Sequence, residues 1–221
     1  MRRYVITVGP LAAADADGIC ASQTPLGAGS LLINGALASG GVATLDKPRR
    51  VLITAVGNES GRTFTLTGTS TNYGNATISE TIAGPNATTA QSVLDYSTVT
   101  IVSIDAASAN AITVGTNGVA SSKPLPLDVY ARPDVALQAT VTGTVNYTVS
   151  QTLDSPWPAG SPNYSAGTPS WTWVNHPDGN LVAATATAQG NYAYPPSMTR
   201  VTLNSGTGSV VFTVNQPGLI G

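Results

Sequence analysis

The chain has 221 residues but only 9 basic and 11 acidic side chains, 9% charged in all, for a formal net charge of −2. A soluble surface usually carries roughly 25 to 35% charge, so much of this exterior is expected to be neutral and to lie against another protein. The basic residues are scattered apart from Arg2-Arg3 and Lys47-Pro48-Arg49-Arg50, which leaves no stripe to displace counterions from phosphates and argues against nucleic acid as a partner. Cys20 is the only cysteine, which excludes an intrachain disulfide and a multi-cysteine metal site. The sequence contains no apolar run long enough to span a membrane as a helix.

The apolar run after Arg2-Arg3 stops at Gly9-Pro10, too soon for a signal-peptide core, so synthesis and folding in a cytoplasm are expected. Residues 11 to 46 are rich in Ala and Gly and read as an extended small-residue N-terminal arm, with Leu31 to Asn34 and Val42 to Leu45 as short strands. From Arg49 the alternation becomes regular. Val51 to Val56, the turn Gly57-Asn58-Glu59-Ser60-Gly61, and Thr63 to Gly68 read as a hairpin. Ala76 to Ile82 repeats the pattern, Gly84-Pro85-Asn86 supplies turn chemistry, and Ser97 to Ile104 and Ala111 to Gly115 add two strands.

Ser121-Ser122-Lys123-Pro124-Leu125-Pro126, with two prolines in three residues, reads as a linker, which sets the predicted domains at 1–122, arm plus β-domain, and 123–221, a β-sandwich. In the second, Val135 to Leu153 is one long alternating run in which Gly143 marks a bulge or a close backbone approach. A Pro- and aromatic-rich loop from Asp154 to Tyr164 leads to Ser170-Trp171-Thr172-Trp173-Val174, where two tryptophans at i and i+2 would share one face of a strand. Arg200 to Asn204 and Ser209 to Val214, joined by Ser205-Gly206-Thr207-Gly208, read as the closing hairpin. With 23 Gly and 15 Pro and no long amphipathic segment, the predicted class is all-β: two antiparallel sandwich-like domains preceded by an arm.

Chemistry-bearing residues are few. His176 is the only histidine, and its Asn-His-Pro-Asp-Gly setting reads as a turn cap or a surface side chain; no nucleophile elbow accompanies it. Cys20 reads as a buried apolar thiol. Asp15-Ala16-Asp17-Gly18 has the beginning of a calcium loop, but Leu26 stands where the bidentate Glu belongs, so it reads as a solvated turn. Asp154 and Asp178 as a glycosidase pair have nothing in the sequence to bring them together. No catalytic residue, metal or cofactor is expected. Trp157, Tyr164, Trp171 and Trp173 are the candidate interface, since Trp and Tyr dominate protein contacts; stacking on a sugar is the alternative use of such rings.

The block Pro48-Arg49-Arg50-Val51-Leu52-Ile53-Thr54, Gly57 to Thr69 and Ser79 to Asn86 resembles a β-rich module of tailed-bacteriophage structural proteins. Trp173-Val174-Asn175-His176-Pro177, Gln189 to Ala193 and Arg200 to Ser209 are similar to the same proteins. The resemblance implies a virion component in symmetric copies, assembled in the bacterial host cytoplasm: a capsid decoration (cement) protein bound to the major capsid protein and to copies of itself as a dimer or trimer. A head-to-tail or tail component in contact with tail proteins, or a receptor- or glycan-binding module, are the alternatives. Decoration is favoured over portals, needles and fibre shafts by small size and the lack of long helices.

Overall fold

The computed structural model describes residues 2–130, 134–155 and 169–217. In chain order its strands are β1 (Arg2–Val8), β2 (Cys20–Gln23), β3 (Gly29–Ser30), β4 (Ala38–Ser39), β5 (Val42–Arg49), β6 (Val51–Ala55), β7 (Thr63–Ser70), β8 (Ala76–Ala83), β9 (Thr89–Gln91), β10 (Tyr96–Ile104) and β11 (Ile112–Thr116). They continue as β12 (Ala120–Ser121), β13 (Leu125–Pro126), β14 (Val135–Thr142), β15 (Val145–Thr152), β16 (Val174–Asn175), β17 (Ala188–Tyr192), β18 (Met198–Gly206) and β19 (Ser209–Gln216). Two single-turn 3₁₀ helices, Thr71–Tyr73 and Gly179–Leu181, are the only helical elements among the described residues. The protein is all-β, as its alternation predicts.

Two compact units form, and their boundaries differ from the predicted 1–122 and 123–221. The outer unit combines the stretch through Leu11 with the chain from Val119 onward, and the inserted unit is built from Ala12–Gly118. The reason lies in β1: Tyr4, Ile6 and Val8 alternate toward the outer unit's core, and all seven residues pair with β19. The Pro124-Pro126 stretch is no free spacer. Leu125 is buried, and β13 pairs with β18 at a sheet edge, where proline is tolerated.

The outer unit is a sandwich of two antiparallel sheets, β1-β19-β14-β17 and β12-β18-β15-β16, with β13 also on β18. Its core is Val135, Leu137 and Ala139 from β14, Val210, Phe212 and Val214 from β19, and Tyr147, Val149, Val201 and Leu203 from the facing sheet. Each such aliphatic or aromatic side chain contributes about 1.5 to 3 kcal/mol on full burial. The run from Val135 to Leu153 is two strands in different sheets, with the change of sheet at Gly143. There φ is +76°, a value glycine adopts freely.

The segment predicted as a closing hairpin also changes sheets, because β18 and β19 pair with other strands and not with each other. The two crossings nest: the Gly208 amide donates to the Thr144 carbonyl at 2.9 Å, and a Cβ at Gly208 would overlap the Thr142 carbonyl oxygen. The close backbone approach expected at Gly143 is therefore present. It serves the sandwich topology, in which two consecutive strands must part to cover opposite faces of one core.

In the inserted unit the sheets are β4-β5-β10-β7-β8, with β3 on β10, and β2-β11-β6-β9. The predicted arm is folded into them. β2 pairs with β11 and β3 with β10, while β4 and β5 form a tight hairpin at Gly40-Gly41, both at positive φ, the geometry of a type I′ turn. Leu31 to Asn34 alternates in burial without forming a ladder: the Leu31 amide donates to the Val102 carbonyl at 2.7 Å, the Gln23 side chain bonds both the amide and the carbonyl of Leu32, and the Ala21 amide donates to Asn34 Oδ1. The predicted pairing of residues 51–56 with 63–68 is overturned. β6 lies in one sheet and β7 in the other, and the intervening loop is held elsewhere, as described next.

Candidate functional site

Four charged side chains of the inserted unit, Arg49, Arg50, Glu59 and Asp95, are buried. Arg49 is 1% exposed, and its guanidinium donates to the Ala12 carbonyl at 3.0 Å, to Asp46 Oδ1 at 2.9 Å and to the Asn117 carbonyl through two nitrogens. Asp46 Oδ2 in turn takes the Ala12 amide at 2.7 Å. This pair bolts together the two strands of chain that begin and end the unit. Burial pushes the Asp46 carboxyl up, but the Ala12 amide and Arg49 outweigh it and hold the group below the usual carboxylate range.

At the loop between β6 and β7, Glu59 is 2% exposed. Its Oε1 accepts from the backbone and side-chain amides of Asn110, at 2.7 and 2.8 Å, and its own amide donates to the Pro85 carbonyl. One residue, through its carboxylate and its backbone amide, thus joins three loops, which explains why Gly57 to Gly61 is not a hairpin turn. Arg50 pairs with Asp95 at 3.1 Å, both buried, and also donates to the Ser92 carbonyl. Glu80 takes the amides of Val93 and Leu94, and burial raises its carboxyl despite those bonds.

Rows of largely neutral side chains run across the outward faces. On the β4–β8 sheet the cross-strand rows run Thr81, Thr65, Ser103; Ser79, Thr67, Ile101; and Thr77, Thr69, Thr98. Their hydroxyls bond one another, Thr67 to Ser79 at 3.1 Å and Thr69 to Thr98 at 2.8 Å, so they are partly satisfied without water. On the outer unit, the rows across β1, β19, β14 and β17 run Val5, Thr213, Gln138, Gln189 and Arg3, Asn215, Ala136, Asn191, with Thr7, Val211, Thr140 beside them. Arg3 is the single charge in those rows. The opposite face of that unit carries Asn146, Thr148, Asn204 and Thr202, with Asn204 donating to both Asn146 and Thr148.

The aromatic cluster sits on the outer unit. Trp171 and Trp173 meet edge to face, with ring centroids 6.3 Å apart, and the Arg200 guanidinium lies 4.2 Å over the Trp173 ring, a cation–π contact. The two rings are brought together as the i, i+2 spacing predicts, but not by a strand. The Thr172 amide donates to Asp154 Oδ2 and Trp171 Nε1 to the Ser155 carbonyl, so ladder pairing begins only at Val174. Both rings are half-buried. Trp157 and Tyr164 lie outside the described residues.

The outer unit also has a cavity of ≈ 330 Å³ lined by Gln151, Leu153, Pro177, Asn191, Tyr192 and Tyr194 among others. Leu153 and Tyr194 are largely exposed at its rim, and Gln151 Oε1 is buried with no hydrogen-bond partner. His176 packs behind it, ring centroid 4.7 Å from that of Tyr192. His176 is buried, not at the surface, and does cap a turn: its Nδ1 accepts the Asp178 amide at 3.0 Å. Burial lowers its pKa, opposed by Asp178 and by nearby backbone. Asp178 itself caps the 3₁₀ turn through the Asn180 amide.

The remaining candidates have structural roles. Cys20 is buried, and burial pushes its thiol up to about 12, which removes the thiolate needed for reactivity. Asp15 Oδ1 accepts the Asp17 amide at 3.3 Å, a local turn. Among the described residues no three His, Cys, Asp or Glu side chains converge as a metal site.

Missed from sequence were Arg49, Glu59 and the Arg50–Asp95 pair. A usable signal was present: in a chain so poor in charge, Asp46, Arg49 and Arg50 fall within strand patterning, where a solvated role is least expected.

No protein-family model matches the chain, and no curated protein matches its sequence.

Proposed function

We propose that the protein is a virion structural component of a tailed bacteriophage, a decoration (cement) protein whose two β-units lie on the major capsid protein lattice. One observation carries the reading: in a chain so poor in charge, four charged side chains, Arg49, Arg50, Glu59 and Asp95, are buried, and rows of the sheet faces consist mainly of Thr, Ser, Asn and Gln. A neutral hydroxyl and amide grid suits repeated contacts on another protein's surface. It lacks the net repulsion that keeps freely diffusing proteins apart. Many modest copies of such a contact give a shell high avidity. The resemblance of residues 48–54, 57–69, 79–86, 173–177, 189–193 and 200–209 to phage structural proteins supports the same assignment.

The test uses purified protein added to capsids that lack it. Restored resistance to heat, with a copy number that follows the symmetry of the shell, is the expected outcome. Occupancy at a single vertex would instead assign the protein to the neck or tail.

A second reading, a glycan-binding module, is favoured by the cavity lined by Gln151, Tyr192 and Tyr194 and by the half-buried edge-to-face pair Trp171 and Trp173. Tyrosine rings line the cavity, and the unpartnered acceptor of Gln151 faces a neutral setting, as sugar recognition requires. Replacing Trp157 and Trp171 by Ala separates the two. Loss of host-cell or sugar binding with assembly intact supports the glycan reading, and loss of assembly makes the rings interface anchors.

A further inference from the structure

The sheet edges of the two units are not alike. β4, β12, β13 and β16 have two residues each, β9 three, β2 four and β17 five, short enough to blunt pairing with another chain. The eight-residue β8 holds the 93–94 segment alongside through Glu80. β1 has none of these devices. It is seven residues long without proline, pairs with β19 with no register shift, and apart from that ladder makes no hydrogen bond to a described residue.

The core is also unfinished at this edge. Tyr4 and Ile6 point to the core layer yet stay half-buried, whereas their neighbours on β19, Val214 and Phe212, are fully buried. On the other face Val5 is 55% exposed.

We propose that β1 pairs edge to edge with β1 of a second copy, antiparallel about a two-fold axis at Val5. Side chains opposite each other in an antiparallel pair must share a face, so a two-fold axis passes through a residue, and only Val5 lets all of Arg2–Val8 find partners. In this register Val5 meets Val5, Arg3 meets Thr7, and Tyr4 meets Ile6 twice over, which covers the open end of each core. The arginines are held at opposite ends, so the contact avoids the like-charge opposition that usually protects an edge. The product is one continuous eight-stranded sheet of order β17-β14-β19-β1-β1-β19-β14-β17. It is the isologous interface that a two-fold oligomer requires, and it stands apart from the shell assignment because it needs no capsid.

Sedimentation of the purified full chain at on the order of 100 μM, where even a micromolar dimer is saturated, should show a dimer. Val5→Lys and Val5→Glu each place like charges directly opposite and should weaken it at least tenfold, while an equal mixture of the two variants should restore it. Val5→Cys adds one reactive thiol to a chain whose own Cys20 is buried with its thiol raised to about 12, and mild oxidation or a short bis-maleimide should link two copies through it. A monomeric wild type at that concentration, a dimer indifferent to Val5→Lys, or failure of the charge-swapped mixture to reassemble would overturn the pairing. Circular dichroism and melting of each variant confirm that the outward-facing substitution leaves the fold intact. A variant that melts early is replaced by Thr7→Lys, which sets a like charge against Arg3 and should weaken the dimer, compared with Thr7→Glu, which sets an opposite charge there and should not; a dimer equally strong in both would overturn the pairing.

Discussion

The outer unit and the inserted unit solve the same problem, two sheets over one interior, with different materials. Among described residues the four fully buried charged side chains, Arg49, Arg50, Glu59 and Asp95, all belong to the inserted unit, whereas the outer unit buries Ser121, Ser122, Ser150, Thr152, His176, Thr199 and Gln216 as its polar complement. The outer unit begins and ends in strands that pair with each other, β1 with β19. The inserted unit must instead close at the point where the chain comes in and goes out, and it does so with Arg49 across Ala12 and Asn117. Backbone carbonyls left over at such a junction need a donor, and a guanidinium with five N–H groups satisfies several at once.

The largest expected effect breaks the outer unit alone. Phe212 is fully buried in its core, and Phe212→Ala should cost about 3 to 5 kcal/mol through lost burial and the cavity left behind. Hydrogen exchange read by peptide should lose protection across β14, β18 and β19, with the inserted unit unchanged. Arg49→Met is the complementary experiment. It keeps an apolar stem of similar reach but strands the Ala12 and Asn117 carbonyls and leaves Asp46 unpaired, so a loss of about 3 kcal/mol is expected. Exchange should quicken first near residues 12–17, 46–49 and 116–118. If protection falls equally in both units in either variant, the division of labour between apolar core and charged bracket is wrong.

A smaller effect belongs to the sheet crossings of the outer unit. Gly143→Ala forces a side chain onto φ of +76° and sets a Cβ 3.2 Å from the Gly208 Cα, for about 1 to 2 kcal/mol. At Gly118, where a Cβ meets nothing, the same substitution should be nearly neutral. Chemical denaturation of the two variants side by side checks the contrast.

Strand positions were legible because each strand buries one face, and alternate residues report it: Thr63 to Gly68 and Ser209 to Val214 lie where their patterns put them. Strand partners were not. Alternation says which face is buried but is silent on which sheet holds it, so β6–β7 and β18–β19 look like hairpins and are crossings. What decides β6–β7 is Glu59, a charged residue within turn chemistry, which reads as solvated until Asn110 and Pro85 come beside it. Trp171 and Trp173 were legible as neighbours by spacing alone. Their environment was not, since Arg200 and Asp154 reach them from distant positions in the chain.

The smallest effect separates the units by pH, and its sign follows from two shifts. Burial holds His176 of the outer unit below its ordinary value near 6.5, so the unfolded chain takes up a proton first as pH falls. The associated stability is complete above about pH 6.5 and declines from there down to the folded value. Asp46 of the inserted unit lies below its ordinary value of 3.8; its contribution is complete above that pH and is lost only on further acidification. Between pH 6.5 and 4, therefore, exchange should quicken in the outer unit around residues 149–152 and 176–192 while the Arg49 bracket stays protected. His176→Asn should flatten that response without touching the inserted unit. An inserted unit that loosens first, or an outer unit whose pH response survives the substitution, would mean that the acid sensitivity resides elsewhere than in His176 and Asp46.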